Sequence, residues 1–303
     1  MPIYLPPISR RRFLAGSIAA LAAGRLPRSL FAADKAVDPN RIALFSDTHL
    51  AADVKAINRE VCMFDHFQAA SADLLAQPTL PSAMLINGDL ALGSGQPGDY
   101  ATLTTCLKPI REAGIPAHLL LGNHDNRANF WKALPADDAG KAVEAKHVGV
   151  IASKHADLIL LDSLDVVNKT PGVIGAAQLK WLSAALEERR EKPCIVVVHH
   201  NPIIGPWAQK VTGVTDTAAL MDVLLPRKQV KALVFGHTHT WLKTEIEGLP
   251  LVNLPPIAYV FGKTQPSGWV DCALAADGAK FTLRCIDPKH SAQGDVFDLR
   301  WRT

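Results

Sequence analysis

The stretch Ile42-Ala43-Leu44-Phe45-Ser46-Asp47-Thr48-His49 sets a strand-length apolar run directly against an acid and an imidazole two residues apart. Four other places repeat the construction. Ala83-Met84-Leu85-Ile86 leads into Asn87-Gly88-Asp89, and Ala117-His118-Leu119-Leu120-Leu121 into Gly122-Asn123-His124-Asp125. The run 194–198 leads into His199-His200, and 232–235 into Gly236-His237-Thr238-His239. Short continuous apolar runs bounded by glycine and polar groups read as buried strands. In open α/β folds ligands bind beyond the carboxyl ends of such strands, so these five segments are expected to converge on one crevice.

Between the apolar runs lie amphipathic patterns predicting helices over about residues 58–76, 100–113 and 176–192. The last carries Leu179, Trp181, Leu182, Ala185 and Leu186 at mostly three- and four-residue steps. Thr215 or Asp216 can cap a further helix that Pro226 stops. Residues 156–161 read as another strand. Beyond His239 the runs 241–246 and 249–254, and a later pair joined by Asp277-Gly278, read as antiparallel hairpins. This alternation predicts an α/β layered fold, with one domain over residues 39–296.

Six of the eleven histidines lie in the five strand-end segments. Side-chain alternation in Asp47-x-His49 and His237-x-His239 is expected to send both members of each pair to one side. Mixed carboxylate, amide and imidazole donors without thiolate suit Mn, Fe or Zn rather than an iron–sulfur cluster. Any one of these histidines alone would more often be a structural residue; the ordered set is far more specific.

That ordered set, Asp47-Thr48-His49, Gly88-Asp89, Gly122-Asn123-His124-Asp125, His199-His200 and Gly236-His237-Thr238-His239, resembles the motifs of the calcineurin-like metallophosphoesterases. The resemblance implies a four-layer αββα sandwich with two central mixed β-sheets. The 178–182 helix segment resembles the cyclic-nucleotide and glycerophosphodiester phosphodiesterase branch. Position by position, the resemblance places one metal on Asp47, His49, Asp89 and His239, and the second on Asp89, Asn123, His199 and His237, with Asp89 bridging. It implies hydrolysis of a phosphate ester by a hydroxide between two divalent or trivalent ions. His124 is expected as the general acid facing the leaving oxygen, and Asp125 as a catalytic partner orienting His124 or a ligand. His200 is read as either substrate-side or structural, because Asn201 stands where the family has proline. Trp207, Tyr259 and Trp269 are candidates for stacking on a base or sugar. Loops 97–100, 126–132, 205–215 and 255–267 are expected to set specificity.

The expected substrate is a small phosphate ester, more specifically a diester such as a cyclic nucleotide, a glycerophosphodiester or a lipid-derived phosphate. No arginine follows Asp89 closely, as it would in a phosphatase gripping a dianion. A phosphomonoesterase is the alternative within this fold, and a non-catalytic metal-dependent binding module the alternative outside enzymology. Retention of His124 argues for the enzyme.

Residues 1–33 differ in kind. Ser9-Arg10-Arg11-Arg12-Phe13-Leu14 precedes a short apolar stretch, and no acid appears before Asp34. This resembles a bacterial twin-arginine export signal, so the translocase of that pathway is an expected partner and the periplasm the expected location. The segment takes five of the 32 Lys and Arg with it, leaving 27 against 29 acids. A near-neutral body without a basic stripe disfavours nucleic acid as a partner. No later apolar run is long enough for a membrane span. Cys62, Cys106, Cys194, Cys272 and Cys285 show no CxxC spacing and read as small buried hydrophobes, with a Cys272–Cys285 disulfide left open.

Overall fold

The computed structural model describes residues 35–135 and 142–303; the basic leader lies outside them. The compact unit runs Val37–Thr303. One six-stranded sheet has the order β14(Val296–Arg300), β13(Gly278–Cys285), β12(Gly268–Leu274), β1(Val37–Phe45), β4(Leu80–Asn87), β5(Ala117–Leu120). The other has the order β10(Leu242–Ile246), β11(Leu249–Asn253), β9(Val230–Phe235), β8(Cys194–Val198), β7(Asp157–Leu161), β6(Gly149–Ile151). Both are mixed: β1, β4 and β5 are parallel with β12 antiparallel beside β1, and β7, β8, β9 and β11 are parallel between antiparallel edges.

The period of two along β1 explains the layering. Ile42 and Leu44 face a core shared with Leu158, Ile195, Val197 and Val234 of the other sheet, so the two sheets pack face to face. Ala43 and Phe45 point the opposite way, into a core made with α1(Met63–Ala76) and α2(Pro97–Glu112). In α1 the buried residues Met63, Phe67, Ala70, Ser71 and Leu74 form one stripe. In α2 a reciprocal Gln96–Asp99 capping box and Pro97 set the start. On the outer face of the second sheet, Val196, Val198, Leu233 and Phe235 pack against α4(Ala176–Glu187) and α5(Thr217–Leu224). The result is the four-layer αββα sandwich.

Three boundaries depart from the sequence reading. Residues 58–62, expected as the start of a helix, belong instead to the small hairpin of β2(Ile57–Asn58) and β3(Val61–Cys62), turned by Arg59 and Glu60 at φ 49° and 68°. The fourth helix stops at Glu187, five residues short of the expected end. The domain does not end at Val296, which instead opens β14, the strand that closes the first sheet. All five cysteines are free thiols, so Cys272 and Cys285 are not bridged.

Candidate metal centre

The five strand-end segments meet where the two sheets open. The ladder between β1 and β4 continues past both strands: Asp47 N donates to Gly88 O at 3.1 Å, His49 N to Asp89 O at 2.9 Å and Leu50 N to Leu90 O at 2.9 Å. Across the sandwich, Asn87 Nδ2 donates to Val198 O at 3.1 Å, and within the second sheet the β8–β9 ladder continues as Gly236 N donates to His199 O at 2.9 Å. Asp47, His49, Asp89, His237 and His239 all adopt left-handed φ, between 45° and 65°. The side chains of Asp47-x-His49 and His237-x-His239 therefore converge through turned backbone and not through the extended alternation expected. Such conformations cost on the order of 1–3 kcal/mol each and persist only where surrounding bonds over-determine them, as here.

Two groups of donors result, Asp47 with His49 and His239, and Asp89 with His199 and His237; within each, one ligand atom per residue lies within 4.8 Å of the others. His49 and Asp89 also come within the same reach of His124. His239 Nε2 stands 3.3 Å from Asp47 Oδ1, and His199 Nε2 3.3 Å from Asp89 Oδ2 and 4.0 Å from Asp47 Oδ1. Three of the imidazoles have their outer nitrogen taken by a carbonyl, which can only accept. His199 Nδ1 donates to Asn87 O at 2.8 Å, His239 Nδ1 to Tyr259 O at 2.5 Å and His124 Nδ1 to Gly93 O at 2.7 Å. Each Nε2 is thereby left to face inward.

The donor set fits metal ions. Nε2 of His199 and Oδ1 of Asn123 are buried without a hydrogen-bond partner, and a buried polar atom left so is costly unless something binds it. Nε2 of His49 and of His239 approach to 3.2 Å. Two imidazole nitrogens held by one ion at about 2.1 Å stand roughly 3.4 Å apart in tetrahedral geometry.

The electrostatics agree with this reading. Burial opposes the charge on Asp47, yet the imidazoles of His239 and His199 hold its carboxyl down at about 2. Asp89 is likewise held well below the carboxylate range against its burial, chiefly by His199. Burial pushes His49 down to about 3 and His237 to about 4, so both present neutral, ligating rings. His199 is opposed by burial, yet the carboxylates of Asp89 and Asp47 beside it raise it to about 10, so this position favours positive charge.

His124 lines the cavity at the centre of the site, and its backbone N–H donates to Asp89 Oδ1 at 2.9 Å. Asp125 does not touch its ring. The Asp125 carboxylate is fully buried and accepts from Gly122 N at 2.9 Å, Leu90 N at 3.1 Å, Ala91 N at 3.2 Å and the Tyr100 hydroxyl at 3.2 Å. It is a clasp between the loops after β4 and β5, not a group that meets substrate. Burial and the charge of Asp89 raise it to about 7. His200 is 0 % exposed, its Nδ1 2.8 Å from Ser163 Oγ and its ring 4.6 Å from that of His237, so its place is structural and not substrate-side.

The cavity of about 220 Å³ is lined by His49, Asp89, His124, His237, Thr238 and His239, and by Lys210, Thr212, Tyr259 and Phe261 from two of the four loops expected to set specificity. The other two are the first turn of α2 and most of α3(Arg127–Ala133), which do not line it. Tyr259 stacks on His49 with centroids 5.1 Å apart, while Phe261 stacks on His239 at 4.3 Å. Trp207 and Trp269 are core residues, Trp207 against Phe235 and Trp269 against Phe45. Lys210, Thr212 and Phe261 escape a motif-based reading because each is a lone residue in an irregular loop.

The profile of the calcineurin-like phosphoesterases matches residues 40–241. A cAMP/cGMP dual specificity phosphodiesterase of Mycobacterium tuberculosis is 28% identical over 224 residues, 74% of this chain and 69% of that protein. A glycerophosphodiester phosphodiesterase of Enterobacter lignolyticus is 24% identical over 234 residues, 74% and 81% of the two chains. Among solved structures, a dimetal phosphatase from Danio rerio superposes with a TM-score of 0.65 at 15% identity, covering 87% of this chain and all of that one. With the sandwich, the two donor groups and the matched profile in agreement, the chain belongs to the calcineurin-like phosphoesterase family and is a metal-dependent hydrolase.

Proposed function

We propose that this protein hydrolyses a phosphodiester, with His124 as the proton donor to the leaving oxygen. The observation that carries the reading is the composition of the cavity wall. His124 and the metal donors open on one space in which Lys210 is the sole lysine or arginine among the described lining residues. A wall with one mobile cation suits the monoanion of a diester better than the dianion of a monoester, which calls for a guanidinium fork. The relatives named as cyclic-nucleotide and glycerophosphodiester phosphodiesterases support the same substrate class.

Asp47, His49, Asp89 and His239 would hold one ion, and Asp89, Asn123, His199 and His237 the other. When bound, such a pair supplies positive charge to the phosphate oxygens and makes water a usable nucleophile near neutral pH. The chain's own residues do the rest. His124 Nδ1 is anchored on Gly93 O, which leaves Nε2 free to deliver a proton. Tyr259 and Phe261 wall the donors off from bulk water. Metal-reconstituted turnover of bis(p-nitrophenyl) phosphate against p-nitrophenyl phosphate tests the proposal. A preference for the diester is expected, a preference for the monoester moves the reading to a phosphomonoesterase, and binding of two ions without turnover of either or of natural diesters would leave a binding module.

Export belongs to the same proposal. The Arg10-Arg11-Arg12 segment is taken as a twin-arginine signal that delivers the enzyme to the periplasm. Replacing the three arginines by lysine and fractionating cells should trap the protein in the cytoplasm; unchanged periplasmic recovery would remove the assignment.

A further inference from the structure

We infer that the mouth of the site docks on an anionic lipid bilayer, so that the enzyme meets its phosphodiester at a membrane surface. At about 220 Å³ the cavity is smaller than the roughly 300–1,000 Å³ typical of pockets that enclose a whole small ligand. It takes in the phosphoryl group and its nearest atoms, and the remainder of a substrate lies across the rim. That rim is apolar. Seven large apolar side chains are exposed among the described residues, and five of them, Val54, Ile57, Val166, Val211 and Phe261, stand on segments that follow the carboxyl ends of the central strands, Ile57 in the β2–β3 hairpin beyond β1 and the others on loops. Ile57 is 71% exposed, Val211 73% and Phe261 54%. The other two, Val37 and Val296, lie at the start of β1 and on the edge strand β14.

Contacts tie these loops to the cavity. Phe261 lines it, and Val211 sits between Lys210 and Thr212, which also line it. Arg59, two residues past Ile57, lays its guanidinium 4.9 Å from the centre of the Phe261 ring. The loop of Val166 is pinned where Asn168 N donates to Asn123 O at 2.6 Å. Apolar side chains held out in water around a functional mouth mark an interaction surface. The charges say of what kind. The exposed cations on these loops are Lys55, Arg59, Lys169, Lys210 and Lys263, none in an ion pair among the described residues, against the exposed acids Asp53, Glu60 and Asp165. That is a surplus of two positive charges, on a chain whose sequence past residue 33 has two more acids than bases. Interspersed valine, isoleucine, phenylalanine, lysine and arginine match an anionic bilayer, where apolar tips enter the acyl boundary and cations meet the headgroups.

The docking stands independently of the turnover reading above, whereas the choice of a membrane-borne diester rests on it. The test mixes full-length protein with vesicles of phosphatidylcholine alone or of phosphatidylcholine with phosphatidylglycerol. Wild type and an Ile57→Ser/Val211→Ser variant are compared in an Arg10→Gln/Arg11→Gln/Arg12→Gln background, so that the basic leader contributes little and equally to both. Sedimentation with the anionic vesicles is expected for wild type and weakened on the order of tenfold in the variant. The same vesicles should slow turnover of bis(p-nitrophenyl) phosphate by wild type several-fold, by covering the mouth, and leave the variant near its vesicle-free rate. Equal sedimentation of wild type and variant, equal binding to neutral vesicles, or the same weakening by a Val37→Ser/Val296→Ser control overturns the inference. Absence of turnover in every sample would sink the diesterase reading and leave sedimentation to decide the docking.

Discussion

Asp89 and His124 line one cavity, and substitution separates the different roles proposed for them. Asp89 stands within ligand reach of His199 and His237 and also of His49, so Asp89→Ala should lose bound metal and turnover together. His124→Ala should keep its metal complement and lose roughly 10²- to 10⁴-fold in kcat on diesters with poor leaving groups. The loss should be much smaller with p-nitrophenolate, which departs without a proton; an equal loss on both substrates would argue against the general-acid role. Metal analysis and kcat on both substrate types check this. The donors that the structure brings together were legible in the chain because each ends an apolar run, a local signal. Asp125 and His200 were not, since the four donors around the one and the Ser163 hydroxyl beside the other come from distant segments.

At the level of elements, the loops after β5 and β9 work because their backbones crowd the carboxylates. A Cβ on Gly122 would overlap Asp89 Oδ1 and stand 2.7 Å from His199 Cδ2, and one on Gly236 would stand 2.6 Å from Asp47 Oδ2. Gly122→Ala is therefore expected to keep the fold by circular dichroism while metal affinity and turnover fall by at least 10-fold, the displaced ligand costing more than about 1.4 kcal/mol. Retained affinity would mean that the loop can shift. Central strands and most helices could be read from the chain because buried runs such as Cys194–Val198 admit one interpretation. The β2–β3 hairpin could not. Its turn is made by Arg59 and Glu60 in left-handed conformations, without the Asn or Gly that ordinarily marks such a turn. Edge strands β6 and β14 were missed for a related reason: with burial patterns iiB and eieBe they carry little apolar signal.

For the molecule as a whole, the two sheets are fastened at both ends, and each fastening has its own test. At the site end the buried carboxylates of Asp47 and Asp89 require cations. Chelation should abolish turnover, and at metal concentrations near 100 times Kd each bound ion should contribute about 2.7 kcal/mol, or roughly 5–10 °C in Tm by calorimetry. At the opposite end, Arg302 reaches from beyond β14 to the second sheet's side, donating to the carbonyls of Leu224, Leu225, Arg227 and Val230. Arg302→Ala should cost about 2 kcal/mol in urea unfolding and leave turnover per folded molecule unchanged. No helix among the described residues is long and apolar enough to cross a membrane.

The ligand donors come from five strand ends spread over nearly 200 residues, and none of the five thiols must be oxidised for the sandwich to close. A site of this kind does not exist until the distant strands have paired, so ion capture is the last event of folding. If the closed sandwich then slows exchange, the identity of the bound pair is set by the ions available where the chain folds, and turnover afterwards preserves that history. Protein refolded with manganese and later moved into zinc should keep manganese for as long as the sandwich stays shut, whereas protein refolded in the mixture should follow relative affinities. Metal analysis of the two preparations after identical dialysis distinguishes a locked pair from one in open exchange.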